Sequence, residues 1–323
     1  MADLQSPIFT NDEKAREALE AVRWPNGPVC PHCGGVDRQA KVEGVKKSHR
    51  PGLVYCNHCK TTYTATVGTV FERSKISLSK WWLACHLMSS SKKGISAHQL
   101  HRMLGITYKS AWFMAHRIRE AMKQLNPAPF GGEGNVVEAD ETYIGGKDQN
   151  KAKSKRSHRR GRPSGVGDKQ AVYSLVERGG DVRSFHIGKV TGAGLREILT
   201  AQVKRDTSLM TDEASTSMWV GREYPKHQTV NHAADEYVRG EAYTNTVEGY
   251  FSVLKRGIVG TYHHVSPQHL SRYLAEFDFR YSNRSAVGVE DAERAQRLVK
   301  GIEGKRLTYR RTNEARRVSQ GRS

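Results

Sequence analysis

Two Cys-x-x-Cys pairs, Cys30 with Cys33 and Cys56 with Cys59, do most to restrict how this chain can fold. With 22 residues between the pairs, they suit one tetrahedral Cys₄ zinc site, closed and therefore structural, with thiolates at about 2.3 Å. A segment this short buries too little surface to stand alone, so metal binding and folding are one event there. Gly34 and Gly35 permit the tight knuckle turn, and β-prone pieces at 53–55 and 61–67 predict a small antiparallel sheet. A helix over 10–24, capped by Thr10 or Asn11, precedes it with apolar Ala18, Leu19 and Val22. His32 and His58 read as surface residues, and the fifth cysteine, Cys85, as a core residue of an apolar helix. Paired cysteines of this kind point to a reducing, cytoplasmic setting rather than to disulfides.

Lysine and arginine number 52 against 33 acidic residues, a net charge of +19 that predicts a polyanionic partner. No run approaches the ~20 apolar residues of a membrane span, and the N-terminus shows no secretion signal. With 323 residues the chain has room for one large domain and one or two small ones.

Periodicity divides the rest. Residues 76–126 read as helical, with Trp81, Trp82, Cys85, Leu87 and Met88 on a first helix, a second at 95–104, a break at Gly105, and a third at 107–122. The last two have the proportions of a helix-turn-helix, which would expose Tyr108, Lys109, Ser110 and Arg117 toward DNA; a plain three-helix bundle is the competing reading. Trp81, Trp82 and Trp112 are expected in the core. From residue 135 the pattern alternates: strands at 136–144, 171–177 and 182–187, a hairpin signal at Arg178-Gly179-Gly180-Asp181, a helix at 194–203, a short strand running into Asp212, then helices at 245–256 and 266–281. That is an α/β arrangement compatible with a ribonuclease H-like core. The expected domains are 1–75 (N-terminal helix and zinc ribbon), 76–126 (helical DNA-binding segment), 135–285 (catalytic domain) and 286–323 (basic tail, flexible from 300 onward).

Three carboxylates stand out in so basic a chain. Asp140 shares a strand face with Glu138 and Thr142; two carboxylates on one face need a cation, so Glu138 is either a second participant or half of a salt bridge. Asp212 ends its strand, with Glu213 as its neighbouring alternative. Glu248 either closes a capping box with Asn245 or lies with Ser252 and Lys255 on the flank of a helix whose buried stripe is Val247, Tyr250, Phe251 and Leu254. Acidic side chains from separate elements can hold two Mg²⁺ or Mn²⁺ ions about 4 Å apart for polynucleotidyl transfer. Lys255 and Arg256 are candidates for phosphate contact. So is the basic run containing Lys151, Lys153, Lys155, Arg156, Arg159 and Arg160, in a loop beside Asp140 that is expected to order on DNA. His263 and His264 are read as DNA or backbone partners.

Several stretches together resemble the DDE transposases of bacterial insertion sequences, in the branch with an N-terminal zinc ribbon (the ISXO-type group). They are Glu138-Ala139-Asp140-Glu141-Thr142-Tyr143-Ile144-Gly145-Gly146-Lys147, Thr211-Asp212, and Asn245-Thr246-Val247-Glu248-Gly249-Tyr250-Phe251-Ser252-Val253-Leu254-Lys255-Arg256-Gly257. The runs beginning at Gly260 and Glu276 also look like that group, and the resemblance covers about residues 10–285. It implies a ribonuclease H-like catalytic domain with Asp140, Asp212 and Glu248 as the metal-binding triad. The activity expected is cleavage at element ends and strand transfer into target DNA, by a homo-oligomer on double-stranded DNA, in the cytoplasm and associated with the nucleoid. The competing readings are a non-catalytic zinc-ribbon regulator, which leaves the acidic positions unexplained, and a nuclease that cuts without joining.

Overall fold

A computed structural model describes residues 4–42, 44, 50–146, 169–212, 221–230 and 243–308. Along the chain run helix α1 (Asp12–Arg23), strands β1 (Gln39–Lys41), β2 (Val54–Cys56) and β3 (Thr61–Tyr63), and helices α2 (Leu78–Ser90), α3 (Ala97–Leu104) and α4 (Tyr108–Met122). Then come β4 (Val136–Ile144), β5 (Gln170–Glu177), β6 (Val182–Ile187), α5 (Gly192–Gln202), β7 (Ser208–Asp212), β8 (Lys226–Val230), α6 (Asn245–Gly257), α7 (Pro267–Ser282) and α8 (Asp291–Lys300). They gather into two compact units, Met1–Ser90 with Ala97–Met122 and Asp291–Ser323, and Ser91–Ser96 with Lys123–Glu290.

In the first unit, Asn11 caps α1 by accepting from the amides of Glu13 and Lys14. Ala15 and Leu19 are its buried residues. The three short strands form an antiparallel sheet in the order β1-β2-β3. Trp81, Trp82, Cys85 and Met88 of α2 are buried as expected, and the Trp82 indole donates to the Ala15 carbonyl at 2.9 Å. Trp112 is half-buried, its ring 4.2 Å from that of His116. Gly105, at φ +60°, lets the chain turn between α3 and α4.

Residues 291–308, placed by sequence in a basic tail, belong to the body of this unit. Helix α8 buries Ala295, Leu298 and Val299, and Ile302 beyond it is buried and accepts from the Val70 amide. Lys305 is also buried, donating to the Ala121 carbonyl at 2.7 Å, and Glu303 pairs with Arg23. The charged residues of α8 hid an apolar stripe that the other helices cover. Residues 309–323 of the expected tail lie outside the described residues.

The second unit is built on a five-stranded sheet in the order β6-β5-β4-β7-β8. The first three strands are antiparallel neighbours, and β7 and β8 run parallel to β4. The β5–β6 turn falls at the expected Arg178-Gly179-Gly180-Asp181, with Gly179 at φ +74°. Strand β8 was not legible beforehand: Lys-His-Gln-Thr-Val at a sheet edge has one fully buried residue and no apolar alternation to reveal it. Both faces of the sheet are covered. On one, Ile144, Val172, Val176 and Val182 pack against Val247, Tyr250, Phe251 and Leu254 of α6 and Leu270, Leu274 and Phe277 of α7. On the other, Val137, Ala139, Tyr173, Leu175 and Leu209 pack against Leu195 and Leu199 of α5. Covering on both sides explains why six consecutive residues of β5 are buried.

A polar clamp fixes the two helices to the first face. The Asp278 carboxylate accepts from the Tyr250 hydroxyl (2.6 Å), the Ser184 hydroxyl (2.7 Å) and the Ser184 amide (2.9 Å). Burial pushes the Asp278 carboxyl up to about 6, against the pull of these donors.

Candidate active site

Asp140 and Asp212 are brought level by strand register. Strand β4 pairs in parallel with β7 through Val136 with Ser208, Val137 with Leu209 and Glu138 with Met210. Two residues further along, Asp140 and Asp212 come abreast on the same sheet face, at the carboxyl end of β7. That end of a parallel sheet is where ligands of open α/β folds bind. Glu248 lies exposed in the first turn of α6, which packs on that face, and accepts from the Thr244 hydroxyl at 3.2 Å.

Asp140 responds to its surroundings. The Asp140 carboxyl rises from 3.8 to about 8, first through burial and then through repulsion by Asp212, with smaller pushes from Glu141 and Glu248. The Glu141 amide, donating to Asp140 at 2.7 Å, opposes that rise. The carboxylates are not drawn tightly together: among the described residues, the four cysteines are the one group of candidate ligands whose atoms all lie within 4.8 Å. Glu213 lies outside the described residues.

Glu248 does not close a capping box with Asn245. The cap residue is Thr244, and its side chain makes no capping bond. The helix N-terminus is satisfied instead from β4, by Glu138. Its Oε2 accepts from the amides of Thr246 (2.8 Å) and Val247 (3.0 Å), and its Oε1 from the Thr246 hydroxyl (2.8 Å) and Arg178 Nε (2.6 Å). Arg178 also donates to the Tyr243 carbonyl at 2.9 Å and lies over the Tyr243 ring. Of the two sequence readings for Glu138 the salt bridge is the one realised, and the carboxylate is fully buried. The strand that carries Asp140 thus grips the helix that carries Glu248. Sequence gave no sign of it, because the partners are 108 and 109 residues apart.

The candidate DNA contacts divide. Lys255 and Arg256 are exposed in the last turn of α6, on the flank shared with Glu248 and Ser252, and Lys109 is exposed at the start of α4. Arg117 corrects the sequence reading. It is buried, donates to the Glu72 carbonyl at 2.6 Å, and lies over the rings of Trp81 and Phe113. Burial lowers its guanidinium to about 10. Eight residues beyond Lys109, the helix has turned it toward the side of Met114 and Ile118. Lys151, Lys153, Lys155, Arg156, Arg159 and Arg160 lie outside the described residues.

The cysteines meet as their spacing requires. Cys30 and Cys59 sulfurs lie 3.7 Å apart, and those of Cys33 and Cys56 3.6 Å. A tetrahedron with 2.3 Å metal–sulfur bonds has edges of about 3.8 Å, so the four fit zinc. The Cys59 amide leads the donors that hold the Cys56 thiol below its ordinary value, Gln39 among them at 3.5 Å. Gln39 is itself held by the Tyr63 hydroxyl at 3.0 Å. His32 and His58 are exposed, as expected.

Comparison with known proteins agrees with this division. Residues 132–282 match the ISXO2-like transposase domain, and residues 10–62 the transposase zinc-ribbon domain. The chain belongs to the ISXO2-like transposases with an N-terminal zinc ribbon. It is 28% identical over 283 residues to an uncharacterized protein in transposable element ISH50 of Halobacterium salinarum, covering 84% of this chain and 91% of that one. A chain of the simian T-cell lymphotropic virus intasome, solved by cryo-EM in complex with PP2A regulatory subunit B56 gamma, aligns at 12% identity and a TM-score of 0.26. The alignment covers 55% of this chain and 63% of that one, a likeness too slight to carry an argument. Among the described residues no helix is long and apolar enough to cross a membrane.

Three outcomes follow from these contacts. The purified chain should carry one zinc per molecule by elemental analysis. Chelation should remove it together with the hydrogen-exchange protection of β2 and β3; protection that survives zinc loss would contradict a metal-built ribbon. Glu138→Ala should lower unfolding free energy in urea by about 3–5 kcal/mol, since it strands a half-buried Arg178 and two helix amides; an unchanged midpoint would refute the clamp. For Asp140, the folded state keeps its proton up to about pH 8 while the unfolded chain releases it near 3.8, so this group costs stability as pH rises between those values. Asp140→Asn should therefore be more stable than the parent at alkaline pH in the absence of divalent metal, by on the order of 2 kcal/mol after solvent screening. The gain should vanish below about pH 4, and a gain independent of pH would exclude the buried Asp140 charge as its cause.

Proposed function

We propose that this transposase cuts DNA at the ends of its element and joins the freed ends to target DNA, using Asp140, Asp212 and Glu248. The observation that carries the reading is the parallel β4–β7 register, which sets Asp140 abreast of Asp212 on the sheet face that the helix carrying Glu248 covers. The sheet order supports a ribonuclease H-like core: three antiparallel strands, the first of them central, then two strands parallel to it. The donor set supports a hard divalent cation, because carboxylate oxygens in mutual repulsion are what Mg²⁺ and Mn²⁺ prefer. Two such ions, when bound, would supply activation of the attacking oxygen and stabilisation of the leaving oxygen.

The chain's own residues account for the rest. Asp140, with one oxygen fixed by the Glu141 amide, and Asp212 beside it form a rigid pair on the sheet. Glu248 approaches from α6, whose position Glu138 and Arg178 set. Lys255 and Arg256 on the same flank meet DNA phosphate, as do Lys109 and the basic run from Lys151 to Arg160. No covalent protein–DNA intermediate is required, since water and then a 3′-hydroxyl serve as nucleophiles. Joining two ends calls for a homo-oligomer on double-stranded DNA, and the setting is the cytoplasm, at the nucleoid.

The test is strand transfer in vitro with end-containing DNA and Mg²⁺ or Mn²⁺. Asp140→Ala, Asp212→Ala and Glu248→Ala should each lose both cleavage and joining by at least a hundredfold while retaining DNA binding. Parent protein that binds without cutting in either metal would refute the catalytic reading, and cutting without joining would reduce it to a nuclease.

A further inference from the structure

We propose that the turn ending α6 and the segment Ser91–Ser96 together form a second DNA contact surface, centred on the exposed side chain of Val259. The inference rests on the proposal that this domain acts on DNA. Val259 is 69% exposed, more than any other large apolar side chain among the described residues. It is not on a frayed end. Helix α6 runs into a π-helical turn, Ile258–Tyr262, which closes at His263 with φ +58°, and His263 Nδ1 donates to the Val259 carbonyl at 3.0 Å.

The 91–96 segment is locked to this turn from behind. The Tyr262 hydroxyl donates to the fully buried Glu276 at 2.6 Å, Glu276 pairs with Arg280 at 2.8 Å, and Arg280 reaches the Ser91 carbonyl at 2.9 Å. A Cβ on Gly94 would collide with the Tyr262 hydroxyl, and one on Gly257 would come within 2.8 Å of the Lys93 carbonyl. His263, a non-glycine residue at positive φ beside this locked turn, carries backbone strain, and strain of this kind collects at functional sites.

Past Glu248, the exposed charge on this turn and on the segment behind it has one sign. Lys92, Lys93, Lys255 and Arg256 are exposed, as are His263 and His264, and neither segment carries an acidic residue. Four exposed cations on two segments in contact, together with a stiff exposed β-branched side chain, suit a partner whose anionic groups alternate with apolar surface, which describes phosphates flanking sugars and bases. Position argues for DNA over an acidic protein. Val259 stands eleven residues along the same exposed flank as Glu248, Ser252 and Lys255, about 16 Å by helical rise. That is near five base steps of duplex. DNA whose backbone passes Glu248 would bring its next stretch onto Val259, which then packs on a sugar or base edge as apolar groove contacts do.

The experiment is anisotropy binding of a fluorescein-labelled duplex of mixed sequence to the zinc-loaded full chain, across a salt titration without divalent metal. Lys92→Gln/Lys93→Gln should reduce the salt slope by about 2. Val259→Ser should weaken binding several-fold with the slope unchanged. Parental slope and affinity in both variants would overturn the proposal. So would a Val259→Ser protein that binds DNA normally but changes oligomeric state, since a second copy would then be what covers the patch. A parent that binds with the expected slopes but never cuts would sink the catalytic reading alone. A parent that cuts and joins while the variants bind as it does would sink this inference alone.

Discussion

The N-terminus of α6 offers amide hydrogens that no helical carbonyl can accept, and a single buried carboxylate accepts two of them. Neither partner is tolerable without the other: a buried unpaired charge and a buried open helix end are each expensive. Glu138 and the first turn of α6 cancel both costs, with Arg178 neutralising the charge. Arg178 follows β5 directly, in the turn to β6, so one interaction ties the central strand, the hairpin beside it and the helix across the sheet. The side chain that makes this clamp is two residues from Asp140 on the same strand face. The placement on the sheet of the first turn of α6, which carries Glu248, is therefore set by β4 itself, not by the long chain between them.

The clamp works against electrostatics. Burying Asp140 beside Asp212 costs stability, visible in an Asp140 carboxyl raised to about 8, first by burial and then by the Asp212 charge. The protein meets that cost with packing elsewhere: the apolar stripe of α6, and the Asp278–Tyr250–Ser184 clamp that fixes α6 and α7 to the sheet. A buried carboxyl held abreast of Asp212 suits the cation that the proposed chemistry calls for.

Much of this was legible in the sequence. The four cysteines carried their geometry in their spacing, and the stripe of α6 fell on the residues that periodicity named. The position of Asp212 at the end of β7 followed from a short apolar run. What was not legible depends on contacts between distant residues. Glu138 could be narrowed only to a participant or a salt-bridge partner, since its partners are more than a hundred residues away. Arg117 read as exposed because a basic residue on a helix of mixed composition carries no mark of burial; an aromatic cage and a backbone carbonyl took it in. Strand β8 and helix α8 were hidden for opposite reasons, the one by an edge strand's polar composition, the other by charge that masked its apolar side.

The most direct test of this account is Mn²⁺ binding, followed by the loss of the free-ion electron paramagnetic resonance signal, in zinc-loaded parent and Glu138→Gln. The substitution leaves Asp140, Asp212 and Glu248 in place and alters only the carboxylate that sets α6 against β4. If that contact assembles the site, Mn²⁺ affinity should fall by about 10–100-fold, as for loss of a group that orients metal ligands. Equal affinity in the two proteins would mean that the three carboxylates find their cation without the clamp, and the account would be wrong at its centre.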